Sequence, residues 1–222
     1  IMLAGGIGSI KEVQIKKGAP KAGDVVIVLG GPAMLIGLGG GSASSTKKTN
    51  DNADLDFASV QRSNPEMQRR AQQVLDKFNE RSSKNPITFI HDVGAGGISN
   101  AIPELAKDTN LGVEINLENI DSADQTMSPM ELWCNESQER YVFTIPTKKL
   151  RALEDICLKE RCPFSIAGYL TEDKIIKIKF HEDEIVNLHL DDLFGEIPLP
   201  DLIAQNYDRS TAREDLPSSD LQ

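Results

Sequence analysis

HDVGAGGISNA, residues 91–101, is the stretch on which the reading of this chain turns. An apolar run, PITFI at 86–90, leads into His91 and Asp92. Three glycines follow within four residues, Gly94, Gly96 and Gly97, and then a pattern that starts a helix. In a strand–glycine turn–helix arrangement, backbone N–H groups converge on an anion, because glycine permits close backbone approach and positive φ. Asp92, at the strand end, offers the anionic oxygen that Mg2+ takes as a ligand, and Mg2+ bridges to phosphate. The same residues also suit an ordinary tight turn with Asp92 as a turn or cap residue. Both readings stand at this point. His91 reads as structural, with no partner placed by sequence.

Upstream, DVVIVLGG at 24–31 is apolar, rich in β-branched residues and closed by glycines, which predicts a buried strand. A long glycine-rich and then polar loop follows. The next helix is marked by Asn64 as cap, Pro65 at the first position, and Met67, Ala71, Val74 and Phe78 on one face. Downstream of the glycine turn, ISNAIPELAKD reads as a helix with Pro103 near its start, where proline is tolerated. GVEINL predicts a strand, MSPMELWCNESQER a capped short helix or turn, and YVFTIP another strand. Thr147 is expected to cap a helix lined by Leu150, Leu153 and Cys157. FSIAGYL, KIIKIKF and IVNLHL predict three closing strands. The expected fold is an α/β (α+β) sandwich, a mixed sheet with helices on at least one face. Residues 1–200 form the expected domain, and 201–222, polar and aperiodic, an expected linker or disordered tail. The opening run IMLAGGIGSI suggests a fragment of something longer.

Thirty-four acidic against 24 basic residues give a net charge of -10, which argues against nucleic acid or an anionic membrane as partner. No apolar run approaches the ~20 residues of a membrane span. Cys134, Cys157 and Cys162 form no CxxC and have no paired histidine, so neither structural zinc nor a disulfide framework is expected. This usage suits a reducing, cytoplasmic setting.

Two further stretches offer ligand groups. NESQER, Asn135 to Arg140, places six polar residues before a strand, and Glu136, Ser137 and Gln138 supply carboxylate, hydroxyl and amide. A solvated loop explains them equally. GLGGGSASS at 37–45 lacks the Gly-Lys-Ser/Thr of a P-loop, yet Gly39, Gly40, Gly41 and Ser42 are able to form a phosphate nest as well as a flexible loop.

Four stretches taken in order, GGPAMLIGLGGGSASS, NADLDFASVQRSNPEMQRR, FIHDVGAGGISNAIPEL and MSPMELWCNESQERYVF, resemble phosphoribosylformylglycinamidine synthases, the large glutamine-dependent enzymes of purine biosynthesis. The resemblance runs to about Pro200. It implies the C-terminal α/β subdomain of the first of two synthetase-like halves, similar to that of aminoimidazole ribonucleotide synthetase. It implies Mg2+ and ATP as cofactors, a ribonucleotide substrate, and as partners the ATP-binding and glutaminase domains of the same polypeptide. It makes Asp92 a Mg2+ ligand, and Gln61, Glu136, Ser137 and Gln138 substrate contacts. Gly39, Gly40, Gly41 and Ser42 become phosphate neighbours. The whole family enzyme converts formylglycinamide ribonucleotide, ATP and glutamine to formylglycinamidine ribonucleotide, ADP, phosphate and glutamate, so this chain alone is expected to be inactive. The rival expectation is an autonomous small-ligand binding or interaction module of the same fold.

Overall fold

The computed structural model describes residues 5–16, 18–38, 64–81 and 85–195. Gln61, Gly39, Gly40, Gly41, Ser42 and the expected tail 201–222 lie outside the described residues. The elements in chain order are β1 (Val25–Gly30), α1 (Pro65–Asn79), β2 (Phe89–Asp92), α2 (Ile98–Thr109), β3 (Gly112–Asn116) and α3 (Pro129–Cys134). Then come β4 (Arg140–Ile145), α4 (Leu150–Glu160), β5 (Phe164–Thr171), β6 (Ile175–Phe180), β7 (Asp183–His189) and a short α5 (Leu190–Phe194).

The strands form one seven-stranded sheet in the order β2-β4-β1-β5-β3-β6-β7. It is mixed, as expected: β3 and β6 pair in parallel and the other neighbours are antiparallel. All six residues of β1 are buried because helices cover both of its faces. Val25, Ile27 and Leu29 pack with Ala71, Val74 and Phe78 of α1 and Leu153 and Cys157 of α4. Val26 and Val28 pack with Ile98, Ala101, Ile102 and Leu105 of α2 on the other face. The uninterrupted apolar run of β1 therefore records a strand between two helical layers.

Local signals set the helix starts. The Asn64 side chain accepts from the Met67 N–H with Pro65 at the first position, and Ser128 and Glu131 form a reciprocal capping box at α3. Two expectations need correction. Thr147 caps nothing with its side chain: its hydroxyl donates to the Gly23 carbonyl, and a 3-10 turn at Thr147–Lys149 leads into α4. Pro103 is the sixth residue of α2, not part of its first turn, and lies buried inside the helix. Its missing N–H removes the bond to the carbonyl four residues back, and burial of the ring in the core offsets that loss. Ile7 and Ile10 of the opening apolar run are exposed and belong to no strand.

This topology also positions the site. β1 and β2 each run antiparallel to β4, which lies between them. Their C-terminal ends and the start of β4 therefore meet at one end of the sheet.

Candidate functional site

At that sheet end, the turn after β2 is closed by hydrogen bonds from Val93 N–H to the Arg140 carbonyl and from Gly97 N–H to the Gly94 carbonyl. Gly97 precedes α2 with φ 63 and ψ -148, a conformation essentially confined to glycine. A Cβ there would sit 2.0 Å from the Asn135 carbonyl oxygen. The tight glycine turn is thus demanded by both the backbone and the NESQER loop that crosses it.

Asp92 does not cap α2, whose start receives no side-chain hydrogen bond. Its carboxylate is 81% exposed, with His91 Nδ1 3.7 Å away. His91 itself is the anchor: Nδ1 lies 2.6 Å from the Asp92 carbonyl, and Nε2 lies 2.6 Å from Glu104 Oε2 on α2. Among the described residues, no group of three or more His, Cys, Asp or Glu is placed to hold a metal. Mg2+ does not require an all-protein cage. Mg2+ is commonly held by one or two carboxylates, with waters and substrate phosphates completing the octahedron. A single solvent-facing carboxylate beside a glycine turn fits that mode.

The NESQER loop between α3 and β4 is built inward. Asn135 donates from Nδ2 to the Glu131 and Leu132 carbonyls, tying up the C-terminal end of α3. Its Oδ1 accepts from the Ser137 hydroxyl at 2.6 Å and from Arg140 Nη1 at 2.8 Å. The Ser137 oxygen in turn accepts from Met34 N–H in the loop after β1. Glu136 spans two loops. Its N–H donates to the Ile36 carbonyl, and its Oε1 accepts from Gly96 N–H at 2.8 Å. Its Oε2 lies over Gly37, where φ is +67 and a Cβ would come within 2.6 Å of it.

Of the three predicted loop contacts, Glu136 and Ser137 are buried and Gln138 is half-buried. The Ser137 hydroxyl is spent on internal partners, whereas Gln138 makes one bond, from Nε2 to the Glu136 carbonyl. The structure therefore brings together Asp92's turn, Glu136, Ser137 and Gln138. Two residues were missed as site candidates. Asn135 is the hub of the loop, and Arg140 lies beneath it, only 2% exposed. Burial pulls the Arg140 guanidinium down to a pKa of about 10. Strand alternation carried the signal, since it puts Arg140 on the same side of β4 as the core residue Val142. Two surface cavities lie apart from these loop residues. One of about 320 Å³ includes Gly18, Phe89 and Thr109, and one of about 450 Å³ includes Glu154, Cys157 and Pro163.

A family model described as "AIR synthase related protein, C-terminal domain" matches residues 21–181. Among solved structures, PurL of Thermotoga maritima complexed with FGAR superposes with a TM-score of 0.73 at 21% identity, covering 89% of this chain and 32% of that one. Phosphoribosylformylglycinamidine synthase II from the same organism gives 0.69 at 20% identity, covering 87% and 29%. A HypE–HypF complex gives 0.51 at 14% identity, covering 77% and 54%. At these identities the shared feature is the fold. The chain spans less than a third of the length of the Thermotoga chains in both structures.

Proposed function

The chain belongs to the family of AIR synthase related C-terminal domains, and on that basis we propose that it forms the ribonucleotide-facing part of an ATP-dependent ligase of purine biosynthesis, a formylglycinamidine ribonucleotide synthase. In that reaction the substrate amide oxygen is phosphorylated by ATP. Ammonia released from glutamine then attacks the same carbon and displaces phosphate. The nucleotide-binding and glutaminase parts would come from other domains of the same polypeptide, in a cytoplasmic enzyme.

One observation carries this reading. Glu136 ties the turn after β2 to the loop after β1, through Gly96 N–H and over Gly37, at the sheet end where Asp92 leaves its carboxylate to solvent. Rigid polar groups at converging strand ends are what orientation of a small polar substrate needs. Asp92 would hold Mg2+, whose charge offsets the negative charge spread over a phosphoryl group in transfer. Gln138, half-buried and bonded once, would turn its amide to the ribonucleotide. The buried Glu136 would orient it, and Ser137 would keep the loop in place. Gln61 would add a further substrate contact, and Gly39, Gly40, Gly41 and Ser42 would neighbour a phosphate.

Equilibrium binding of formylglycinamide ribonucleotide to the full-length protein tests the reading. We expect binding, weakened about tenfold by Gln138→Ala, as the loss of one polar contact predicts. Absence of binding by the unaltered protein would overturn it. Equal affinity for the chain alone would favour an autonomous small-ligand module.

A further inference from the structure

Arg140 is the most buried charge at this site, and among the described residues no carboxylate answers it. Its side chain, 2% exposed, is among the largest fully enclosed in the protein. One nitrogen, Nη1, donates to Asn135 Oδ1, while Nε and Nη2 are buried with no hydrogen-bond partner. A guanidinium carries five N–H donors and normally takes several partners when enclosed. Holding it with one neutral acceptor disfavours the folded state, and an apolar residue of similar length would serve the fold as well or better. A residue that costs the fold and still occupies a core position invites a reason outside the fold.

The single bond indicates that reason. Asn135 Oδ1 is the point where three segments meet: the end of α3 through Asn135 itself, the loop after β1 through Ser137 and Met34, and β4 through Arg140. The Ser137 hydroxyl donates its one hydrogen to Asn135 while its oxygen accepts the Met34 N–H. Asn135 Nδ2 is committed to the Glu131 and Leu132 carbonyls, so the amide cannot flip without losing both bonds. The Arg140 donor strengthens that orientation, because a bond from a charged donor is about twice as strong as a neutral one. One residue after this hub, the Glu136 backbone N–H and carboxylate reach Ile36 and Gly96.

We propose that Arg140 is a positioning residue: by orienting the Asn135 carboxamide it holds the Glu136–Gln138 loop in ligand-ready geometry, at the expense of fold stability. The part of this concerning the ligand rests on the ribonucleotide reading above. The part concerning the loop does not.

The test is Arg140→Met, which replaces the guanidinium with an apolar side chain of similar reach. Hydrogen exchange is read at the Met34 and Gly96 amides, whose acceptors are the Ser137 hydroxyl and the Glu136 carboxylate. The Ile27 and Phe143 amides, paired across β1 and β4, serve as controls. The expected result is exchange at least about tenfold faster at Met34 and Gly96, unchanged at the controls, with a melting temperature no more than about 3 °C below the unaltered protein. In the full-length protein, formylglycinamide ribonucleotide binding should weaken at least about tenfold. Unchanged exchange at Met34 and Gly96 overturns the proposal. A protein that fails to fold, or that melts more than about 3 °C lower, also overturns it, because Arg140 would then serve the fold. If the unaltered protein binds no ribonucleotide, the functional reading falls, and the exchange comparison still decides the role of Arg140.

Discussion

Replacing Asp92 with Asn separates a metal ligand from a turn residue. The fold makes little use of this carboxylate. It is 81% exposed, caps no helix, and has His91 Nδ1 3.7 Å away. His91 is held instead by the Asp92 backbone carbonyl and by Glu104, neither of which the substitution alters. An exposed, isosteric change of this kind shifts stability by less than about 0.5 kcal/mol, or under about 2 °C in melting temperature for a domain of this size. The effect on a bound Mg2+ is larger. Asn keeps one acceptor oxygen but removes the negative charge that a hard cation requires. We expect turnover of the full-length enzyme to fall at least tenfold, about 1.4 kcal/mol in transition-state stabilisation, with partial recovery at high Mg2+. The assay is initial rate against Mg2+ concentration, beside thermal melts of both proteins and Mn2+ binding followed by electron paramagnetic resonance. Near-normal turnover and unchanged Mn2+ affinity at ordinary concentrations would refute the argument and return Asp92 to the turn.

Gly97→Ala should destabilise the domain by more than about 3 kcal/mol, through its glycine-only dihedrals and the 2.0 Å approach to the Asn135 carbonyl. Gly94→Ala in the same turn, with nothing within 4 Å of the added Cβ, should stay within about 0.5 kcal/mol, and denaturant melts compare the two. At the β5–β6 turn, hydrogen bonds from Lys177 and then Thr171 hold the Asp173 carboxyl down at about 2. Because the folded-state value lies below the unfolded one near 3.9, this stabilisation is complete above about pH 4 and is lost as pH falls from there towards 2. Asp173 is 36% and Lys177 25% exposed, so solvent screening keeps the loss small, and it should shrink in Lys177→Met, with the Thr171 bond remaining, when melts are compared between pH 5 and pH 2. The chain by itself should neither turn over formylglycinamide ribonucleotide nor hydrolyse glutamine. Burial pushes the Cys157 and Cys162 thiols up to about 12 and 11, so iodoacetamide at pH 8 should modify both far more slowly than a free thiol. Glutamine hydrolysis by the purified chain would contradict this.

Much of the fold was legible because its signals are local. The unbroken apolar run of β1, the Asn64–Pro65 start of α1 and the Ser128–Glu131 capping box each lie within a few residues of what they determine. Where a local reading failed, a distant partner had prevailed: Thr147 gave its hydroxyl to Gly23, and Pro103 was held in mid-helix by the core around it. The glycine turn and the polar NESQER run could likewise be singled out from composition, but Arg140 was read as the end of that polar run, and only the structure places it inside. The tertiary structure alone decided which of these groups meet. His91 finds Glu104 across the β2–α2 turn, Glu136 finds Gly96 forty residues away, and Ser137 finds Met34 at a separation of 103. The last two pairings follow from the insertion of β4 between β2 and β1, which brings three loop ends to one end of the sheet. Strand order is set by burial on both faces of the central strands, a cooperative property of the assembled core that no window of a few residues contains.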